Sequence, residues 1–432
     1  MRTDIVHPGA DKLRYEIRRI VEVGKRIEAL GMPVVWENIG DPVAKGEEVP
    51  AWIKEKVKEE LDADATYGYS PTAGLAAARA YIAAERNLEG GIQIAPDDIL
   101  FFNGLGDAIA TLYRNLHPRA RVIGPNPAYP THSSAEAAHA SAPHLTYLLD
   151  PMDGWKPDLA DLERKVEENP SVAGIIIINP DNPTGFVYPQ ETLADIVAIA
   201  RKHRLFVISD EIYSNLAYEG SGMRKLASVI GDVPAICMRG ISKEFPWPGG
   251  RCGWIEVYNR HEDADFDRYA RSLLDSKMLE VCSTTLPQAV LPKVMGDARY
   301  YPYLKERVDA YARRSERAAE ILSAIPELVV NPARGAFYMT PVFREGALTD
   351  TQSLPMSPEA SEAIAPCLPG ASPDQRFVYH LLASTGICVV PLSTGFNSDF
   401  QGFRFTLLER DEEKFENTVQ RIADAARCYL GS

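Results

Sequence analysis

The segment SKEFPWPGGRCGW, residues 242–254, brings a lysine and an arginine together around prolines and glycines. Lys243 follows an apolar run, and Arg251 stands eight residues later. A lysine amine can serve as a nucleophile or a base, and an arginine fork binds carboxylates and phosphates. Because this pairing is unusual for a surface turn, the segment is a candidate for a site that joins amine chemistry to anion binding.

Other polar residues follow apolar runs that are typical of buried strands. Asp210 and Tyr213 lie in SDEIY after LFVI, and Asn182 lies in PDNPTG after GIIIIN. The turn NGLGD, residues 103–107, separates ILFF from a helical stretch, and its glycines let backbone N–H groups approach an anion. Since ligands bind at the carboxyl ends of strands in open α/β sheets, we expect these residues to share one site.

Short apolar runs alternate with helical stretches between about residues 98 and 260. The runs GIIIINP and LFVISDE flank a helical pattern near 190–203, which predicts a βαβ unit and parallel strands. The runs are continuously apolar, which indicates a sheet covered by helices on both faces. Helices are also predicted at 11–30 and at 73–86, the second with Thr72 as its cap.

The chain beyond Tyr300 has a different pattern. A long charged helix at about 302–323 precedes short strands, and a helix at 411–430 closes the chain. This section predicts a smaller α+β domain, with a loop rich in proline, serine, threonine and alanine inserted near 345–375. The predicted organisation has three parts: an N-terminal segment that joins the small domain, 1–45; a large domain, 46–298; and the small domain itself, 299–432.

Composition narrows the possible classes of function. The 432 residues carry a formal net charge of −14 and a pI of about 5.2, which disfavours nucleic acid and anionic membranes as partners. No apolar stretch approaches the roughly 18 residues that a transmembrane helix needs. Charges near the N-terminus argue against a signal peptide. Six cysteines without a CxxC pair favour reduced thiols in a cytoplasm and no metal site.

Seven segments together resemble the class I/II aminotransferases, which are pyridoxal-5′-phosphate (PLP) enzymes of fold type I. Within residues 36–408 and in chain order they are GYSPTAGLAAARAYI, NGLGDAI, PNPAYP, NPDNPTG, SDEIY, SKEFPWPGGRCGW and FRFTLLE. The resemblance implies an α/β fold, with a mostly parallel seven-stranded sheet covered by helices in a large domain, and a smaller α+β domain. It also implies an aminotransferase of amino acid metabolism and biosynthesis, which passes an amino group from an L-amino acid to a 2-oxo acid, with 2-oxoglutarate expected.

The resemblance assigns catalytic roles to three residues. Lys243 would hold PLP as a Schiff base and act as the general base at the substrate α-carbon. Asp210 would keep the ring nitrogen protonated, and Tyr213 would hydrogen-bond the ring oxygen. The other implied cofactor contacts are the phosphate turn of Gly104, Leu105 and Gly106, the ring contacts Tyr129 and Asn182, and the phosphate ligands Ser242, Arg251 and Tyr67. Because Tyr67 would reach the phosphate of the neighbouring subunit, the resemblance implies a homodimer.

Arg404 resembles the arginine that binds the substrate α-carboxylate, with Gly40 and Asn182 beside it. Two residues depart from the family, since Gly106 and Gly240 stand where many relatives carry side chains that bind the phosphate. Gly106 also cannot supply the lysine that reads a side-chain carboxylate in some aspartate-specific relatives. His132, three residues after Tyr129, is interpreted either as a structural histidine or as a residue behind the site.

Two other functions stay open on the sequence. A PLP-dependent carbon–sulfur β-lyase would keep the same lysine and cofactor but would release pyruvate and ammonia without an acceptor. A non-catalytic PLP-binding regulator would add a DNA-binding domain, and nothing basic or helix-turn-helix-like precedes residue 36. The donor is open among alanine, aspartate and aromatic amino acids, and so is the role of 345–375 in access to the site.

Overall fold

The computed structural model describes residues 5–13 and 16–432, without the side chains of 16–19. Residues 1–4 and 14–15 of the predicted N-terminal segment therefore lie outside the description. The first elements are α1 (Glu16–Ala29), β1 (Val35–Trp36), α2 (Ala51–Leu61) and α3 (Ala76–Leu88). Ile20, Val23 and Ile27 form one buried face of α1, as helical spacing predicts.

Helix α3 begins three residues beyond its predicted start at 73, and Thr72 is not its cap. The Thr72 hydroxyl donates instead to the carbonyl oxygen of Val281 at 2.9 Å. Helix α2 was not predicted, because Ile53 is its only buried residue and a single buried position leaves no apolar periodicity.

The central sheet of the described chain has eight strands. They are β2 (Ile99–Phe102), β3 (Arg121–Asn126), β4 (Thr146–Asp150), β5 (Lys156–Pro157), β6 (Val172–Ile178), β7 (Phe206–Asp210), β8 (Ala235–Gly240) and β9 (Gly253–Tyr258). Their order is β2-β9-β8-β7-β6-β3-β4-β5, and the four pairs from β8 to β4 are parallel. The sheet exceeds the predicted seven strands because β5, an antiparallel edge strand of two residues, is too short for a hydrophobic pattern.

Helices cover both faces of this sheet. Those between β2 and the end of the sheet region are α4 (Leu105–Arg114), α5 (Pro130–Ala140), α6 (Leu159–Glu168), α7 (Gln190–His203), α8 (Ile241–Glu244), α9 (Ala264–Glu280) and α10 (Thr285–Met295). Helix α7 coincides with the helix predicted at 190–203. Ile175 and Ile177 of β6 pack in one hydrophobic core and Ile176 in the other. This two-sided burial explains why β6 is apolar at successive positions.

The C-terminal section combines a long helix with short strands. Its elements are α11 (Tyr300–Leu322), β10 (Leu328–Val329), β11 (Tyr338–Met339), β12 (Val342–Phe343), α12 (Pro358–Ile364), α13 (Pro373–Thr385), β13 (Ile387–Cys388), β14 (Val390–Pro391), α14 (Leu392–Gly395), β15 (Phe403–Thr406) and α15 (Glu412–Leu430). Strand β15 pairs antiparallel with both β11 and β14, while β13 pairs with β1. The β1–β13 pairing holds residues 35–36 beside this section. The boundaries after residues 45 and 298 stay a prediction.

The predicted loop at 345–375 contains helix α12, so its interpretation as irregular chain was wrong. The Ser357 hydroxyl caps the helix by accepting the Ala360 N–H at 3.1 Å, and Pro358 occupies the first turn. Ala360 and Ile364, four residues apart, are buried. Their spacing is helical, but the apolar pattern is only two residues long. Within residues 5–13 and 16–432, every helix is too short or too polar to cross a lipid bilayer.

Candidate functional site

Lys243 lies just beyond the carboxyl end of a central strand. Strand β8 ends at Gly240, and the one-turn helix α8 carries Lys243 at its third position. The Lys243 Nζ donates a hydrogen bond to the carbonyl oxygen of Gly40 at 2.7 Å. An added Cβ at Gly40 would lie 2.0 Å from the Tyr338 hydroxyl, so only glycine brings this carbonyl to the lysine without displacing the tyrosine.

Burial lowers the pKa of the Lys243 ammonium to about 8. Nearby charges act in both directions: Asp41 and Asp210 raise this pKa, while Arg404 and Arg251 lower it. Desolvation has the largest effect, because the ammonium loses more stabilisation on leaving water than it gains from the two carboxylates. The lysine can therefore present a neutral, nucleophilic amine at mildly alkaline pH.

A buried carboxylate ends the neighbouring strand. Asp210 is the last residue of β7 and is 3% exposed. Its Oδ2 lies 3.1 Å from His132 Nε2, and its Oδ1 accepts the Ile212 N–H at 3.1 Å. His132 is itself buried, and within the described chain its Nδ1 has no hydrogen-bond partner. His132 therefore helps to fix the orientation of the Asp210 carboxylate, a contact that suits both interpretations of this histidine.

Two tyrosines meet between Asp210 and the C-terminal section. The Tyr213 and Tyr338 hydroxyls are 3.1 Å apart, and the Tyr213 ring packs edge-on against Phe337. Burial raises the pKa of Tyr213 well above its ordinary value, and Tyr338 adds to the increase. Tyr213 thus stays protonated and keeps a hydrogen to donate.

Arg404 of β15 is 2% exposed and is held by neutral groups. Its Nη2 donates to the Asn38 carbonyl oxygen at 2.5 Å and its Nη1 to Asn182 Oδ1 at 3.3 Å. The guanidinium carbon lies 4.4 Å from the centroid of the Tyr338 ring. Among the residues that the structure describes, no carboxylate lies within 4.0 Å of Arg404, and its Nε has no hydrogen-bond partner. Because a buried guanidinium without a counter-charge costs on the order of several kcal/mol, the surroundings are suited to an incoming anion.

The turn before α4 forms a second place for an anion. Gly104 precedes the helix with a φ of +82°, and an added Cβ there would lie 2.4 Å from Arg251 Nη2. Arg251 donates from Nη2 to the Asn103 carbonyl oxygen at 3.2 Å. The first N–H groups of α4, which begin at Leu105, have no partner inside the helix. A helix N-terminus beside an arginine is suited to a phosphate.

The two positions that depart from the family have different surroundings. An added Cβ at Gly106 would meet nothing within 4 Å. At Gly240 it would lie 2.9 Å from the Cys252 carbonyl oxygen and 3.1 Å from the Gly253 Cα. A side chain is therefore sterically excluded at Gly240 but not at Gly106.

The other three predicted cofactor residues differ in how close they lie to this arrangement. Tyr129 precedes α5 and contacts the His132 ring at 6.3 Å between centroids. Ser242 is half-buried beside the lysine on α8. Tyr67 is 73% exposed, and its hydroxyl donates to the Leu61 carbonyl oxygen at 3.0 Å. Tyr67 thus faces outward from this chain.

Sequence reasoning missed Tyr338, Asp41 and Asn38 as members of the site. Asp41 follows Gly40 directly, so the IGDP segment offered a local signal for it. Tyr338 lies 125 positions from Tyr213 and meets it only through the packing of two sections of the chain. No local pattern distinguishes it from Phe337, the other aromatic residue of AFYM.

The family profile described as "Aminotransferase class I and II" matches residues 35–422 of this chain. An uncharacterized aminotransferase of Methanocaldococcus jannaschii is 51% identical over 431 residues, covering 100% of both chains. The glutamate-pyruvate aminotransferase AlaA of Escherichia coli is 31% identical over 332 residues, or 76% of this chain and 80% of that protein. The solved structure of an alanine aminotransferase from Pyrococcus furiosus superposes with a TM-score of 0.84 at 25% identity, covering 99% of this chain and 100% of that one.

Proposed function

Because this chain belongs to the class I and II aminotransferase family and is an aminotransferase, we propose that it exchanges the amino group between L-alanine and 2-oxoglutarate, with PLP as cofactor. The observation that carries the proposal is the placement of Arg404. Its buried guanidinium has no carboxylate partner among the described residues. Its charge is also close enough to Lys243 to lower the pKa of that lysine. An amino acid has the carboxylate and the α-proton that these two groups would engage.

The residues present fit PLP. Lys243 supplies an amine, Asp210 a buried carboxylate for the ring nitrogen, and Tyr213 a hydroxyl for the ring oxygen. The turn at Gly104 and the Arg251 side chain supply donors that a phosphate needs, with Ser242 as a further donor, and Asn182, which contacts Arg404, would reach the ring. When bound, PLP supplies an electron sink that makes the substrate α-proton acidic.

Lys243 would act as both the anchor and the base. Its lowered pKa favours the neutral amine that can bond to a carbonyl carbon. The same Nζ, once free, would take the proton from the substrate α-carbon. The Gly40 carbonyl oxygen, which now accepts its hydrogen bond at 2.7 Å, would hold the protonated amine afterwards.

Arg404 would orient the substrate. A bidentate bond from its guanidinium to the α-carboxylate fixes the plane of that group, and the Tyr338 ring supports the guanidinium from one side. With the carboxylate held, the α-hydrogen would be the group left for Lys243 to remove, and loss of the carboxylate as carbon dioxide would be disfavoured. Gly40 and Asn182 would close the site around the carboxylate.

Alanine as the donor is supported by the relatives named as alanine or glutamate-pyruvate aminotransferases, which are 30% and 31% identical to this chain. These names belong to those proteins, and alanine as donor here is the proposal. A cytoplasmic location, inferred from the reduced cysteines, is part of the same proposal.

A homodimer is supported by an exposed apolar patch beside Tyr67. Hydrogen bonds from the Ser70, Thr72 and Thr285 hydroxyls to Ser283, Val281 and Gly68 carbonyls join segments 67–72 and 278–285. The patch consists of residues that are each at least half exposed: Tyr67, Tyr69, Met278, Leu279 and Val281. Burying this patch against a second copy would bring Tyr67 to the partner's phosphate site.

Product analysis tests the proposed function. The purified protein with PLP is incubated with alanine and 2-oxoglutarate, and pyruvate, glutamate and ammonia are measured. We expect equal amounts of pyruvate and glutamate, formed only when both substrates are present. A parallel incubation replaces alanine with a cysteine-derived substrate and omits 2-oxoglutarate. Formation of pyruvate and ammonia there would indicate the β-lyase instead. No turnover of any amino acid by PLP-loaded protein would support the regulator.

A further inference from the structure

Residues 37–47, here called the strap, form a compact turn between β1 and α2. Lys45 Nζ pairs with Glu37 Oε1 at 2.7 Å and closes the strap on itself. The Glu47 N–H donates to a carbonyl oxygen within the strap at 2.9 Å. Glu37 Oε2 accepts the Thr406 hydroxyl at 2.6 Å, which ties the strap to β15. The strap is therefore a well-braced unit attached to the strand that carries the site's arginine.

Arg307 of α11 connects the far end of the strap to the backbone of Lys243. Its Nη1 donates to the carbonyl oxygens of Lys243 and Glu244, each at 2.9 Å. Its Nε lies 2.5 Å from Glu47 Oε1, and its Nη2 donates to Glu47 Oε2 and to the Tyr311 hydroxyl at 3.2 Å each. Arg307 is 7% exposed, so these bonds form in largely desolvated surroundings, where electrostatic interactions are strong.

The strap thus reaches Lys243 at two points. At one end the Gly40 carbonyl oxygen accepts from Nζ, and at the other Glu47 binds the arginine that holds the Lys243 carbonyl oxygen. We propose that Glu47 and Arg307 are positioning residues for the amino-transfer reaction. They hold helix α8 so that Lys243 Nζ is placed for proton transfer at the substrate α-carbon.

The short length of α8 makes such support necessary. Its four residues leave the carbonyl oxygens of Lys243 and Glu244 without a partner in a following helical turn. Arg307 satisfies both with one side chain. A base displaced by about 1 Å loses up to roughly 100-fold in rate, so loss of this support would slow the proton transfer rather than weaken substrate binding.

Arg314 provides a matched control on the same helix. It lies seven residues after Arg307, on the same face of α11, and is 5% exposed. Like Arg307, it combines a carboxylate, Glu412, with carbonyl oxygens, here of Leu407 and Arg410. It therefore has a similar buried network that does not reach α8.

The test compares Arg307→Lys with Arg314→Lys in the PLP-loaded enzyme. Lysine keeps the charge but cannot make the forked set of bonds. We expect Arg307→Lys to lower kcat about 10-fold or more with the KM for alanine changed less than about 3-fold, because positioning acts on the chemical step. In Arg307→Lys the primary isotope effect of α-deuterated alanine on kcat should also rise. Glu47→Gln should likewise lower kcat and raise the isotope effect. Arg314→Lys should keep kcat within about 2-fold of the parent.

Equal kcat values in the two arginine variants would overturn the inference, and so would a lower kcat without a larger isotope effect. Should Arg307→Lys not fold, Glu47→Gln decides, with the neighbouring exposed Glu48→Gln as its control. The inference rests on the proposed role of Lys243, and Lys243→Ala separates the two. An active Lys243→Ala enzyme refutes that role, whereas an inactive one beside a normal Arg307→Lys enzyme refutes only the positioning.

Discussion

In the proposed mechanism Lys243 forms a bond with a carbonyl carbon and later exchanges a proton with a substrate, and both tasks need an accessible neutral amine. Its surroundings provide this through burial, with Arg404 and Arg251 adding to the effect of burial and Asp41 and Asp210 limiting it. The Gly40 carbonyl oxygen fixes the direction of the amine. The chemistry of the lysine is therefore set by residues from both halves of the chain.

The lowered pKa of Lys243 predicts the pH dependence of cofactor attachment to the protein without PLP. Below a pKa of about 8 the amine is mostly protonated and unreactive, and above it the amine is mostly neutral. The rate of PLP attachment should therefore rise with pH, with a midpoint near 8, and level off above it. Stopped-flow absorbance at a series of pH values measures this rate. A rate that keeps rising towards the ordinary lysine pKa near 10.5 would contradict the account.

Replacing Arg404 by lysine should weaken amino acid binding. Lysine keeps a positive charge but loses the forked pair of hydrogen bonds, which costs about 2 kcal/mol, or roughly a 30-fold higher KM for alanine. Steady-state kinetics at saturating 2-oxoglutarate measure the change. Arg410→Lys, an exposed arginine six residues along the chain, serves as the control. A KM unchanged by Arg404→Lys would show that the carboxylate is bound elsewhere.

Several of the residues that sequence reasoning placed at the site end a strand or open a helix within a recognisable local motif. Lys243, Asp210 and the Gly104 turn are of this kind, and the structure brings them to one edge of the sheet. Tyr338 and Arg307 act through contacts between distant parts of the chain. Their importance follows from tertiary packing, which spacing along the sequence does not encode.

At the scale of elements, the sheet places polar residues at one edge because its central strands are parallel. Strands β6, β7 and β8 end next to one another, so Asn182, Asp210 and Lys243 follow neighbouring strand ends. This arrangement was predictable from the βαβ pattern around 190–203, where apolar runs are long. Strand β5 and helix α12 were not predictable in the same way, because two-residue strands and one-turn apolar patterns carry little periodicity.

The two glycines at the phosphate end of the site should respond oppositely to serine. Gly106→Ser has open space and should change the free energy of unfolding by less than about 0.5 kcal/mol, with PLP affinity equal or higher because a hydroxyl is added at the helix start. Gly240→Ser would press on the backbone at Cys252 and Gly253 and should destabilise by about 1–3 kcal/mol with weaker PLP binding. Denaturant unfolding and fluorescence titration with PLP measure both. A larger loss of stability and of PLP affinity in Gly106→Ser than in Gly240→Ser would mean that the turn is arranged differently.

At the scale of the whole molecule, two features point beyond a single chain. Tyr67 faces outward although the family resemblance assigns it to a phosphate, and the apolar patch that includes it is joined to the end of α9 by hydrogen bonds. The proposed site completed by a second copy would account for both. Activity would then depend on association of the subunits.

Leu279→Asp should therefore convert a dimer into monomers and remove most of the activity. Leu279 is 90% exposed and belongs to the patch, and an aspartate there would bury a charge on association. Sedimentation velocity and the alanine assay, run on the same sample, measure the two effects. Leu88→Asp is the matched control, since Leu88 is 83% exposed and lies outside the patch. A fully active Leu279→Asp monomer would contradict the shared site.

The role of Lys243 is tested most directly by the visible absorbance of the PLP-loaded protein during additions of alanine and then 2-oxoglutarate, with Lys243→Ala as the comparison. If Lys243 carries the cofactor, alanine should bleach a visible band and 2-oxoglutarate should restore it, and neither change should occur in Lys243→Ala. A visible band that forms, bleaches and returns equally in the variant would show that Lys243 is not the residue that carries the chemistry.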